Sequence, residues 1–277
     1  DDEAQFAALM QNAVAFAQDY QLRPGIALSA EQMAELTTDI VWLVEKTVTL
    51  ADGRQTQALV PQVYVRAIDG DLSPTGALIS GERIVFDGGQ LTNSGSLSAR
   101  QWVSIDTASV NNLGRISGRQ VAIQTAGDLA SHGRIDAVDS LLLAAGRDLT
   151  IASTIRADGN QRNLDRIARV HIQGANATVL MSAARDLTLT AANLRSDSQG
   201  NTVIVAGGDM NLDTLQESRT ESIQWDQNNW QRQSWQSDIG SHIQTTGKLL
   251  LQAAGNMHLK AAALTSERGG LDLISAG

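Results

Sequence analysis

Trp225, Trp230 and Trp235 are three of the five tryptophans in this 277-residue chain, and they fall in one stretch, QESRTESIQWDQNNWQRQSWQSDIGSH, beside Arg232. Tryptophan and arginine carry a large apolar or planar surface with a polar handle, so both are enriched at binding hot spots. Trp225, Trp230, Arg232 and Trp235 are therefore the candidate contacts for a receptor protein or a glycan. A structural account competes with this one. Asp226–Asn229 reads as a four-residue polar turn, which sets Trp225 opposite Trp230, Ile223 opposite Arg232 and Glu221 opposite Ser234 in a β-hairpin. In that account the rings clamp the hairpin to a larger body, with Trp235 largely buried and Trp230 partly exposed beside the turn.

Other chemistry is sparsely supported. His132, His171, His242 and His258 are scattered, without a carboxylate or second histidine at ligand spacing, so no metal site is expected. There is no cysteine, which removes disulfides and thiol chemistry. Gly207-Gly208-Asp209 precedes a strand pattern and not a helix, so it is no phosphate loop. No G-x-S-x-G elbow is present. Asp136, Asp139, Asp158 and Asp165 are the acids that a polysaccharide-cleaving enzyme would gather in one groove, and solvated loop charges are the simpler account of them. Neither catalytic residues nor a cofactor are expected. A formal charge of −9 argues against nucleic acid, which needs a basic face. No run of 18 or more apolar residues occurs, so no span of a bilayer is predicted.

The elements that must position these residues show a repeat. Leu78, Leu97, Ile116 and Ile135 recur at intervals of 19, and so do Leu91, Val110 and Leu129. Between them lie alternating pairs: Ile84 and Phe86, Val103 and Ile105, Val121 and Ile123, Leu141 and Leu143. Alternation over four to six residues predicts strands, and a unit this short buries an apolar face only by stacking on its neighbours. The expected fold is all-β: a right-handed parallel β-helix, the hand following the usual crossover rule. Coils run from Gly76, break at Arg156–Arg169, and resume with Val170–Ile172, Val179–Met181, Leu187–Leu189, Val203–Val205 and Met210–Leu212. Gln216–Ser241 breaks them again before Leu249–Leu251, Met257–Leu259 and Leu271–Ile274. Asp128, Asp148, Asp186, Asp209 and Asn256 recur before an apolar residue, where they close corners by bonding their own backbone. A calcium array would need a carboxylate-rich nonapeptide, about half this unit length.

Residues 1–75 form a separate part, an N-terminal helical and hairpin cap, and residues 76–277 carry the repeats with insertions near 156–169 and 216–241. Phe6, Leu9, Met10, Ala13, Phe16, Ala17 and Tyr20 lie on one helical stripe, ended by Arg23-Pro24-Gly25. Ser29 and Gln32 suggest a capping box for a short helix carrying Met33 and Leu36. Ile40–Val44 is continuously apolar, and Thr47–Leu50 and Gln57–Val60 form a hairpin about Asp52-Gly53. Pro61 interrupts its edge.

Several segments resemble a known family. LSARQWVSIDTASVNNLGR, ISGRQVAIQTAGDLASHGR and IDAVDSLLLAAGRDLTI are similar to the repeats of filamentous haemagglutinins and contact-dependent growth-inhibition exoproteins, the effectors of two-partner secretion. AARDLTLTAANL, AGGDMNLDTL and the upstream TTDIVWLVEKTVTLADGRQTQALVPQVYV share the resemblance. It implies a stalk segment, secreted to the outer surface of a Gram-negative cell through an outer-membrane transporter. It also implies that the family's secretion domain and any C-terminal toxin lie outside these residues. The partners it suggests are an outer-membrane receptor or a host-cell glycan or protein.

Overall fold

The computed structural model describes residues 2–28, 32–33, 36, 38–49, 55–64, 77–224 and 230–277. The chain divides into two compact units, Asp1–Ser73 and Pro74–Gly277.

The first unit holds helix α1 (Asp2–Tyr20) and the antiparallel strands β1 (Ile40–Thr49) and β2 (Gln55–Tyr64). The helix buries Ala13, Phe16 and Tyr20 from the predicted stripe, and the rings of Phe16 and Tyr20 stack one turn apart at 4.2 Å. Phe6, at the start of that stripe, is 49% exposed. Ser29 and Asp52-Gly53 lie outside the described residues. Ile40–Val44 does not stand apart from the hairpin. β1 pairs with β2 along its whole length, Ile40 opposite Tyr64 and Thr49 opposite Gln55. Pro61 sits within β2 opposite Leu43, because an antiparallel ribbon leaves alternate amides outside the ladder. Gly25 takes φ +98° at the end of the helix and donates its amide to Leu43.

The second unit is a parallel β-helix. Its strands stack in three walls, and the ladders can be read directly from their register. Wall 1 aligns Ile79, Leu97, Ile116, Ile135, Val170, Leu194, Ile243 and Leu264. Wall 2 aligns Phe86, Ile105, Ile123, Leu143, Met181, Ile204, Leu251 and Leu273. Wall 3 aligns Leu91, Val110, Leu129, Leu149, Leu187, Met210 and Met257. Eight coils follow among the described residues: 78–93, 96–112, 115–131, 134–151, 169–189, 193–212, 242–259 and 263–275. The interior members of these ladders form one continuous apolar core.

The register departs from the expected columns at Leu78 and in the strand Thr202–Ala206, and it places the one-residue slips of the middle runs at one bend. Leu97 stacks on Ile79, while Leu78 is 64% exposed. Coil 2 carries one residue more than coils 1 and 3 at the bend between walls 1 and 2, where the register shifts. Coil 4 carries one more than coil 3 at the same bend, so that bend absorbs the irregular spacing of the middle runs. The strand Thr202–Ala206 turns Thr202, Ile204 and Ala206 inward, leaving Val203 and Val205 on the outside.

Polar groups also enter the ladders. The Asn93 amide donates to Asn112 Oδ1 at 2.8 Å, and the Asn112 amide to Ser131 Oγ at 3.0 Å, all buried. From coil 4 upward the same position holds Ile151, Leu189 and Leu212. Glycine is required where successive coils come closest. A Cβ on Gly114 would lie 1.9 Å from the carbonyl oxygen of Gly95, and one on Gly133 would lie 2.0 Å from that of Gly114.

Candidate functional site: paired hairpins at one corner

Both interruptions of the repeat leave the coil at the same corner, between wall 3 of one coil and wall 1 of the next. The first interruption folds as Thr154–Asp158 and Gln161–Arg166, antiparallel, joined by Gly159 and Asn160. Gly159 takes φ +53° at the first turn position, which a tight hairpin assigns to glycine. The second folds as Leu215–Gln224 and Trp230–Ile239. The two hairpins join through Gln161 opposite Arg219 and Arg162 opposite Ser218, making one four-stranded antiparallel sheet.

The base of this sheet is fastened to the coils. Leu164, Ala191 and Ile239 form a small buried cluster, with Ile167 and Leu215 packed against it. Ser153 Oγ donates to the Ala191 carbonyl at 2.6 Å and accepts from the Ala168 amide at 2.9 Å. Ser241 Oγ donates to the Leu189 carbonyl and accepts from the Ala192 amide, both at 3.1 Å. Buried Glu217 accepts the Leu164 amide at 2.8 Å, tying the second hairpin to the first. None of these anchors carries a motif. The one available signal is position: Ser153 directly precedes the first hairpin, and Ser241 ends the second interruption of the repeat.

The second hairpin is registered one residue away from the expected pairing. Gln224 faces Trp230, Ser222 faces Arg232, Glu221 faces Gln233 and Arg219 faces Trp235. The connection is thus five residues long and includes Trp225, which lies outside the described residues. The strand is rich in Gln, Ser and Thr, so no buried face fixes its phase. Trp235 is 39% exposed and not largely buried, because the strand from Arg232 to Gln236 projects beyond the anchored base with both its faces open. Arg232 is exposed, and Arg219 stands across the ladder from Trp235.

The acidic residues do not converge. Asp136 is buried in wall 1 between Arg115 at 3.0 Å and Arg134 at 2.7 Å. Asp139 pairs with Arg119, also at 2.7 Å. Asp158 ends the first strand of the first hairpin, and Asp165 lies toward the base of the second. His171 does find a carboxylate: its Nε2 lies 3.2 Å from Asp197, which also accepts Arg195 Nε at 2.9 Å. Burial works to raise the Asp197 pKa, but the hydrogen bonds from Arg195 and His171 outweigh it and hold the group below its ordinary value. Among the described residues no three His, Asp or Glu side chains are grouped to hold a metal ion.

The corner carboxylates bond the next coil and not their own backbone. Asp128 Oδ1 accepts the Asp148 amide at 3.3 Å, Asp148 the Asp186 amide at 3.2 Å, and Asp186 the Asp209 amide at 2.9 Å. Asp209 then accepts the Asn256 amide at 2.7 Å. Arg147 pairs with Asp128, and Arg185 grips Asp148 with both Nε and Nη2. The Arg185 hydrogen bond outweighs burial, which works to raise the Asp148 pKa, and with the Asp186 amide it holds the carboxyl below its ordinary range. This is a ladder that closes a corner.

No protein-family model and no solved structure matches this chain. One stretch of 84 residues, 30% of the chain, is 43% identical to Toxin CdiA of Yersinia pestis. That match covers 2% of the toxin's length, so the chain spans a small part of it. No helix among the described residues is long and apolar enough to cross a membrane. The sequence similarity and the stacked coils agree: this chain resembles a β-helical fragment of the CdiA and haemagglutinin kind.

Proposed function

We infer that these residues form a stalk segment of a two-partner-secretion exoprotein, carried through an outer-membrane transporter and displayed on the surface of a Gram-negative cell. The segment is mechanical: it sets the reach of adhesive or toxin domains placed elsewhere in the parent protein. The observation that carries this reading is the unbroken register. Coil 4 pairs directly with coil 5 past the first hairpin, and coil 6 with coil 7 past the second. Each coil therefore needs only its predecessor as a template, which suits folding of a chain that emerges from one end.

A second reading assigns recognition of a receptor or glycan to the projecting hairpin, and the exposure of Trp235 beside Arg232 supports it. One experiment separates the two. In the parent exoprotein on its producing cell, removal of residues 96–133 joins Gly95 to Arg134 with the ladder positions kept, because Gly95 and Gly133 occupy equivalent corners. A stalk so shortened should still be displayed and still act on target cells. Intact display with loss of action on target cells, reproduced by Trp235→Ala with Arg232→Ala, would make the segment a recognition module.

A further inference from the structure

The three walls differ on their outer faces. Wall 1 turns out Ser117, Asp136, His171 and Arg195, and wall 3 turns out Asn111, Ala130, Thr150, Thr188 and Asn211, polar but for one alanine. Wall 2 instead aligns Ala122, Leu142, Leu180, Val203 and Leu250 down its centre, one per coil from coil 3 to coil 7. Ala144 and Val205 widen this stripe on one flank. All of these side chains are partly exposed. An aliphatic column on the outside of a polar solenoid is the kind of patch that marks an interaction surface. It lies on the wall opposite the corner from which the hairpins leave.

We propose that this wall pairs with the same wall of a second copy of the chain, face to face and with the two solenoid axes parallel. The area fits a weak dimer. The five-coil column covers about 400 Å² per copy at ~4.8 Å per coil and five residues at ~3.3 Å. With coils 1 and 2, whose central residues are Val85 and Ser104, the wall covers about 560 Å² per copy, or roughly 1,100 Å² in total, just above the lower limit for a specific interface. Charge selects the direction. In coil 1, Arg83 lies two residues before the central Val85 and Asp87 two residues after it, both exposed and on the same outer face. A two-fold axis along the solenoid exchanges the two flanks at constant height. Arg83 of each copy then meets Asp87 of the other, giving two symmetric ion pairs. Antiparallel packing keeps each flank on its own side and brings Arg83 toward Lys248 of coil 7, a like charge already paired with Asp272, so no new ion pair forms. Arg83 is held across the coil boundary by the Trp102 ring, 5.6 Å from its guanidinium carbon, so it is already placed at the edge of the stripe.

Sedimentation equilibrium of the 277-residue chain tests this at low salt, with melting temperature as the check that each variant is folded. The wild type should dimerise with a dissociation constant of about 10–100 μM, in keeping with the small area. Leu180→Lys should leave a monomer at every concentration reached. Arg83→Asp should weaken the dimer about tenfold by facing Asp87 with a like charge, and Arg83→Asp with Asp87→Arg should restore it. A wild type that stays monomeric to millimolar concentration overturns the proposal. A dimer that Leu180→Lys leaves intact overturns it too, since some other surface then holds the copies. Tighter pairing of the Arg83→Asp variant overturns the parallel arrangement, because that is the outcome antiparallel packing demands.

Discussion

The coils and the hairpin sheet use β-structure in opposite ways. In an inner coil, each strand has a neighbour above and below and one face buried, so position is fixed by a column of like side chains: Leu97, Ile116, Ile135 and Val170 are four of the eight members of one column. In the second hairpin, ten-residue strands pair locally, and the buried apolar part of the hairpin sheet shrinks to Leu164, Ala191 and Ile239 at the base. The walls gain rigidity from repetition. The hairpins give up burial for reach, which is where chemically distinct side chains such as Trp235 become available to a partner. The difference predicts a steep gradient of mutational sensitivity from the coil interior to the hairpin tip.

The largest effect belongs to the ladder. Ile116 is fully buried between Leu97 and Ile135. Ile116→Asp places a carboxylate there with no cation in the column and should destabilise the fold by about 3–5 kcal/mol. Thermal melting measures this. A wild-type melting temperature for the variant would mean that the columns are misassigned. Gly114→Ala should come next, at roughly 3 kcal/mol, because backbone and not a movable side chain occupies the space its methyl needs. The same substitution at Gly159, on the tip of the first hairpin, meets no atom within 4 Å but must hold φ +53°, so it should lose only about 1 kcal/mol.

One substitution in the coils should stabilise. Thr202 is completely buried between Val179 and Leu249, and its hydroxyl has no hydrogen-bond partner among the described residues. Thr202→Val keeps the shape and removes the stranded donor, so denaturant unfolding should show a gain of about 1–2 kcal/mol. A loss in that measurement would point to a hidden partner for the hydroxyl. Acid should act on the corner ladder next. The folded pKa of Asp148 is depressed, so its contribution is complete above the unfolded value near 3.8 and is lost as pH falls through the lower folded value. Arg185→Ala removes the main cause of that depression. Its acid-unfolding midpoint should therefore lie at higher pH than that of the wild type, with the two proteins differing least in the acid limit.

How much of this was legible depended on whether burial imposed a phase. The interval of 19 residues and the pairs Val103/Ile105 and Val121/Ile123 declared the walls, since apolar and polar positions alternate cleanly there. Where both faces are apolar the sign was lost. Leu78 and Ile79 are adjacent, and only the extra residue in coil 2 decides that Ile79 enters the column. The run Thr202–Ala206 puts Thr202, Ile204 and Ala206 inside and Val203 and Val205 outside, so both faces carry apolar residues and alternation alone does not set the phase. The corner aspartates were visible as a repeat, but their bonds to the next coil depend on stacking and have no local signature. In the second hairpin the strands were legible and the register was not, for want of any apolar alternation between Gln216 and Ser222. The contact residues inherited that uncertainty: the partner of Trp235 is Arg219, which no motif marks.

The smallest effect is expected at Trp235, on the outer half of the second hairpin. Trp235 has the size of a core residue but is 39% exposed, on a strand whose neighbours from Arg232 to Gln236 are all open. If the hairpin obeyed the rule of the coils, Trp235→Ala would cost what a core aromatic costs, about 3–5 kcal/mol. The geometry places it under a different rule. The ring is 39% exposed, on the outermost strand of the four-stranded hairpin sheet, with Arg219 across the ladder. The expected loss is below about 1 kcal/mol, the size of one cross-strand pair. Ile239→Ala, in the same strand but inside the anchoring cluster, should lose about 2–4 kcal/mol and set the scale within one hairpin. Equal losses at the two positions would show that the hairpin is packed along its whole length. A small loss at Trp235 and a large one at Ile239 would show a strand fastened at its base alone, free to give its outer half to a partner.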